Sequence, residues 1–195
     1  FVIGLIFSLA TFLIPDKIIS LYSDDPFVIE TGVVYIRTLS VSYFLYAISQ
    51  VFLNAHRSIG NTQFTMKVAI VSLFINIMMH YVLIFGKFGF PELGVSGAAI
   101  ATLLARCFEF ILTISFTYLK KTPVAASFKS MFDFRKDLTK TALKKMIPVT
   151  INEGIWGAGT NAYSAIYAGI STSSIAAYGA VSPIDTIAFT LMVSI

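Results

Sequence analysis

Apolar residues run along this chain in six blocks, at 1–14, 27–55, 62–85, 93–119, 142–169 and 174–195, separated by short polar breaks. A helix crossing a bilayer needs roughly 20 predominantly apolar residues to match about 30 Å of hydrocarbon. The blocks therefore predict six transmembrane helices, the first cut off at its start. Strand-like alternation of useful length is absent, and an open sheet cannot span lipid. Pro15 and Asp16 end the first block, and the stretch after them lies along the interface. The sharpest break is Gly86 to Thr102, Gly-Lys-Phe-Gly-Phe-Pro-Glu-Leu-Gly-Val-Ser-Gly-Ala-Ala-Ile-Ala-Thr, where a Gly/Pro-rich turn joins two membrane-length segments. Phe1 and Ile195 both lie inside apolar runs, as expected of an internal piece of a longer protein.

Composition supports the same class. Hydrophobic residues make up 56% of the 195 positions and charged residues 12%, about half the charged share of a soluble domain. Such a chain lacks the polar surface to cover itself in water. The reading is an all-α, polytopic, integral membrane protein. Cys107 is the single cysteine, so no disulfide closes within the chain.

The distribution of charge predicts orientation. The second and fourth connections, with the helix turns beside them, hold His56 and ten Lys/Arg, Arg57, Lys67, Lys120, Lys121, Lys129, Arg135, Lys136, Lys140, Lys144 and Lys145, against the acids Asp133 and Asp137. The other connections hold only Lys17 and Lys87 as bases, with Asp16, Asp24, Asp25, Glu30 and Glu92. The positive-inside rule assigns the basic side to the cytoplasm, and the net charge of +4 then needs no nucleic-acid partner. The fourth connection is also the one long polar break. It divides the chain into residues 1–120, a linker at 121–140, and residues 141–195, with a boundary between two helical lobes at the linker.

Polar groups inside the apolar blocks are costly and mark candidate sites. Ser72, Asn76 and His80 recur every four residues and share one helix face, with Asn76 roughly 15 Å from Gly86 and so near the midplane. That face suits either hydrogen bonding between helices or an ion or substrate path. In the fifth helix Glu153, Gly157, Thr160, Asn161 and Ser164 form a stripe, flanked by Asn152 and by Trp156, whose ring offers a face to an organic cation. Glu153 lies roughly 12 Å beyond Lys145, and Pro148 is expected to bend the helix just before it. A polar packing seam is the competing reading of this stripe; a functional site is the favoured one. Asp185, two residues after Pro183, is a second deep carboxylate, equally open to packing or function. Arg106 and Glu109, spaced i, i+3, are expected to pair structurally, and Arg37 to reach outward. Two histidines at opposite ends of one helical pass give no metal-ligand spacing, so neither a metal site nor enzymatic chemistry is expected.

Taken together, these residues resemble the multidrug and toxic compound extrusion (MATE) family. The resemblance rests on Asn76 with Ile84-Phe85-Gly86, then Gly89-Phe-Pro-Glu-Leu-Gly94, then Gly97-Ala-Ala-Ile-Ala-Thr102. Upstream it includes Tyr35-Ile-Arg37 and Arg57-Ser-Ile-Gly60-Asn-Thr62, and downstream Pro148 with Asn152-Glu153 and Trp156. It implies a twelve-helix protein of two six-helix lobes, of which this chain is helices three to eight. It also implies antiport, with inward H⁺ or Na⁺ driving export of amphipathic, often cationic, small molecules. Glu153, Asn152, Trp156, Thr160, Asn161, Asn76, His80 and Asp185 are the residues expected to bind cation or substrate. Some members carry Asp four residues after the Asn of the third helix here; this chain has His80. The implied protein needs no cofactor beyond the coupling ion and is a monomer in the bacterial inner membrane, in contact with lipid.

Two alternatives stand beside this. A lipid-linked saccharide flippase of the same superfamily would favour several cations lining a central cavity, and only Arg106 is deep. A non-transporting scaffold would need no deep acid. The charge pattern itself predicts a topology: cysteines introduced at Ser127 and Ser23 should label from opposite sides with an impermeant thiol reagent. Labelling of both from one side would overturn it.

Overall fold

A computed structural model of the chain describes residues 2–126 and 136–193. All regular structure among them is helical: α1 (Val2–Leu13), α2 (Pro15–Ile19), α3 (Pro26–Ser58), α4 (Thr62–Phe85), α5 (Gly94–Leu119), α6 (Lys136–Ile170) and α7 (Thr172–Val193), with one turn of 3₁₀ helix at Lys87–Gly89. The chain divides into two compact units, one of Phe1–Ile19 with Asp25–Ser130 and one of Ser20–Asp24 with Met131–Ile195. Residues 127–135, nearly half of the segment expected as a linker, lie outside the described residues, and Lys136 to Lys140 form the first turn of α6.

Of the six expected spans, α3, α4 and α5 are long and apolar enough to cross a membrane by length and composition. α1 has only 12 residues. α6 and α7, with 35 and 22 residues, are long enough but diluted by polar positions such as Asn152, Glu153, Asn161 and Asp185. α6 runs as one helix through Pro148, and α7 through Pro183.

In the first unit α5 is the central element, packed against both α3 and α4, while α1 and α2 lie on α3. Its residues Gly97, Ala101, Ala105, Glu109, Thr113 and Thr117 recur every four positions and are all buried, so one face of α5 is a continuous seam. The unit buries polar groups beside a small apolar core of Leu53, Phe64 and Val68. Ser40, Ser42, Ser49, His56, Thr113 and Thr117 are buried, while Leu73, Phe74 and Ile77 of α4 are more than half exposed. Large apolar side chains facing outward belong against lipid tails, and small and polar ones hold the helices together.

The glycine-rich turn has a geometric origin. Gly86 ends α4 in the left-handed conformation, φ +62°. A Cβ there would also come within 2.9 Å of the Glu92 backbone nitrogen. The turn brings the Leu93 N–H to the carbonyl of Leu83 at 3.1 Å, satisfying one of the orphan carbonyls of the last turn of α4. One turn further along, Gly97 lies so close to α4 that a Cβ would collide with that same Leu83 carbonyl. Close approach of the two backbones therefore requires glycine at position 97. Gly97→Leu should reduce the folded yield in membranes severalfold, whereas Ile100→Leu should leave it unchanged. Equal yields, measured by size-exclusion chromatography in detergent, would count against this contact.

Candidate functional site

Among the described residues, three polar clusters hold the side chains singled out by the sequence, two in the first unit and one in the second. The first joins α3 to α5. Glu109 is 15 residues along α5 from Gly94 and 10 from Leu119, deep in the span, and is only 4% exposed. Arg106 Nη1 donates to Glu109 Oε2 at 2.5 Å, the pairing the spacing predicts. Gln50 Nε2 of α3 donates to the other oxygen at 3.4 Å, and the guanidinium carbon sits 4.2 Å from the centre of the Tyr46 ring. Tyr46 and Gln50 are four apart and share a face of α3, which is the sequence signal for a partner; it says nothing of which helix the face meets. Gln50 and Tyr46 are the residues the sequence reading missed here.

The second cluster joins α4 to α5. His80 Nε2 lies 3.1 Å from Thr102 Oγ1, and that hydroxyl donates to the Ala98 carbonyl at 3.1 Å. With its one hydrogen so placed, Thr102 accepts from His80, which makes the ring the Nε2–H tautomer. Asn76 is half-buried and Ser72 fully buried on the same helix. Ser72 Oγ has no hydrogen-bond partner among the described residues. The face read from the spacing of four is thus brought to the α5 side at His80, with Thr102 as the partner it lacked.

The third cluster is on α6 and α7, which pack on each other. Asn152, Glu153, Trp156 and Asn161 are exposed and Thr160 is half-buried. Thr160 Oγ1 and Asn161 Nδ2 both donate to the Gly157 carbonyl, at 2.9 and 2.8 Å, and Ser164 Oγ donates to the Thr160 carbonyl at 3.2 Å. The stripe is therefore partly tied to its own helix. The Tyr22 hydroxyl, in the same unit, donates to Asn161 Oδ1 at 3.3 Å. Trp156 stacks on Phe189 of α7, ring centres 6.4 Å apart. Asp185 is exposed on α7. Among the described residues no group of His, Cys, Asp and Glu is arranged to hold a metal ion.

Helices of this length and apolarity, with polar groups turned inward, define an integral, multi-pass membrane protein of the all-α class. The MatE family model matches residues 1–82. A probable multidrug resistance protein NorM from Thermotoga maritima is 43% identical over 72 residues, 37% of this chain and 16% of the relative. Another from Bacillus thuringiensis subsp. konkukian is 36% identical over 111 residues, 56% of this chain and 24% of the relative. The uncharacterized transporter YisQ of Bacillus subtilis is 35% identical over 115 residues, 59% of this chain and 25% of the relative. Over these stretches the chain is similar to MATE-family proteins. It spans about a quarter or less of the length of these curated relatives. No solved structure matches it.

The Arg106–Glu109 pair gives a test of what holds α3 to α5. Glu109 is buried while the Arg106 side chain is 37% exposed, so removing Arg106 leaves an uncompensated carboxylate at a cost below the roughly 3–5 kcal/mol of a fully buried pair, while apolar replacement of both partners is often close to neutral. Arg106→Met should therefore destabilise the chain markedly, and Arg106→Met with Glu109→Leu should recover most of the loss. Unfolding in detergent with a double-mutant cycle measures this. Purely additive losses would show that the two charges are independent.

Proposed function

We propose that this chain is the part of a secondary antiporter that carries a cation-linked site, exporting amphipathic or cationic small molecules in exchange for H⁺ or Na⁺. Similarity to the MatE family model and the multidrug resistance names of similar proteins support drug efflux as the activity. The observation that carries the mechanism is Glu153, a carboxylate placed on a helix roughly 12 Å beyond the basic end at Lys145. Such a group is tolerated in a membrane when protonated, paired or bound to a cation.

A proton, Na⁺ and a cationic substrate all answer one negative charge, and competition between them is the simplest form of antiport, since each lowers the apparent affinity of the other. Asn152 supplies oxygen beside that charge, Thr160 and Asn161 supply it about two turns further along the same helix, and Trp156 offers an aromatic face. Asp185 on α7 is a second deep carboxylate. In the first unit Asn76 and His80 lie on one face of α4, with an imidazole at the position of the acid found in some members. The protein acts as a monomer in the bacterial inner membrane with no cofactor beyond the coupling ion.

Glu153→Gln keeps the size of the side chain and removes its charge. In the full-length protein it should abolish gradient-driven drug efflux in vesicles while membrane levels stay normal. Efflux at the ordinary rate would make Glu153 a packing residue. Driving the same vesicles with a Na⁺ gradient and then a pH gradient separates the two coupling ions.

A further inference from the structure

His56, which the sequence places in a basic connection, is wholly buried near the end of α3. Its ring meets Phe64 of α4 edge-on, 4.8 Å between centres, and Phe116 of α5 at 5.9 Å; those two phenyl rings stack at 3.8 Å. Both ring nitrogens are engaged. Nε2 lies 2.9 Å from Thr117 Oγ1 of α5, and Nδ1 lies 3.5 Å from Asn61 Nδ2, the residue before α4.

Hydrogen inventory assigns the proton. Thr117 Oγ1 donates its one hydrogen to the Thr113 carbonyl at 2.7 Å, so it accepts from His56 Nε2–H. An amide nitrogen only donates, so Nδ1 is the bare acceptor. The imidazole is neutral, and three helices are tied to this one tautomer. Asn61 supplies an independent sign of the same arrangement. It occupies the N-cap position of α4, where an Asn side chain ordinarily accepts from the helix N–H groups, yet it makes no such bond there. Its amide goes to His56 instead, and its backbone N–H donates to the His56 carbonyl at 2.9 Å.

We propose that His56 is a proton-binding site whose neutral form latches the ends of α3, α4 and α5 together. A proton arriving at Nδ1 through the turn at Asn61 turns an acceptor into a donor that faces another donor. It also places a positive charge beside the stacked pair of Phe64 and Phe116, in a pocket closed to water. Among the described residues the ring contacts are Phe64, Phe116, Thr117 and Asn61, and none of these is an acid that would answer that charge. The charged residues the three elements carry toward this end are Arg57 on α3, Lys67 on α4 and Lys120 after α5, all exposed bases. Protonation therefore loosens the corner, and Asn61 is freed to cap α4. This reading is independent of the role given to Glu153.

The test uses the whole chain in lipid nanodiscs with Cys107→Ser as background. ¹⁵N-histidine NMR follows His56, and spin labels at Ile59 and Leu119, both exposed, report the distance between the ends of α3 and α5. At about pH 8 the Nε2–H tautomer and a narrow distance distribution are expected. Toward about pH 5 the imidazole should gain a proton and the distribution should broaden with the same midpoint. His56→Gln, which offers an amide to Thr117 but does not titrate, should keep one distribution at both pH values. Asn61→Asp sets a carboxylate beside Nδ1 and should raise the midpoint by about one pH unit or more. The proposal fails if His56 stays unprotonated throughout while the helices persist, if it titrates without a change in distance, or if the change survives in His56→Gln. An unmoved midpoint in Asn61→Asp would also overturn it, and that variant decides the matter should the glutamine variant not fold.

Discussion

Helices in lipid gain little by burying apolar side chains against each other, because lipid tails are as apolar as leucine. Association then depends on how closely backbones approach and on polar groups that find partners across helices. In the first unit both conditions meet on one face of α5. Gly97, Ala101 and Ala105 open room along it, and Glu109, Thr113 and Thr117 continue the same line toward the other end. Without that face α3 and α4, which touch each other far less than either touches α5, would have no common partner.

Polar contacts fix the register of this packing at three levels. His80 meets Thr102 between α4 and α5, Gln50 meets Glu109 between α3 and α5, and His56 meets Thr117 near the far end. A polar group in hydrocarbon without a partner costs more than the bond is worth in water, so a slip of one helix along another breaks several bonds at once. Ser72 and Thr113 are the buried hydroxyls with no partner among the described residues. Both sit in the same interior, one on α4 and one on α5. α1 is tied to α3 by the same means, through the Ser8 hydroxyl on the Ser40 carbonyl at 2.6 Å.

The second unit shows the limit of a helix pair. Two packed helices share one line of contact, so most positions on each remain exposed, and α6 has no buried residue among those described. Glu153 and its neighbours are therefore held by their own helix and by single contacts such as Trp156 on Phe189. Enclosing a carboxylate takes more surface than a pair of helices provides.

Much of the fold was legible in the order of the residues. Apolar blocks bounded by Pro15, by Gly60 and by the turn after Gly86 mark where helices end, because backbone geometry and hydropathy are local properties. The boundaries of α4 and α5 follow from them to within a residue. The Arg106–Glu109 pair was legible for the same reason, both partners lying on one turn of one helix. The contacts between helices were not. Gln50 and Thr102 became site residues only when α5 met α3 and α4, and periodicity names a face without naming what it faces. His56 is the clearest case. By sequence it belongs to a basic connection, and its surroundings in the chain are polar. Only the packing of Phe64 and Phe116, eight and sixty positions away, makes it the buried hub of three helices, since burial is decided by residues distant in sequence and close in space.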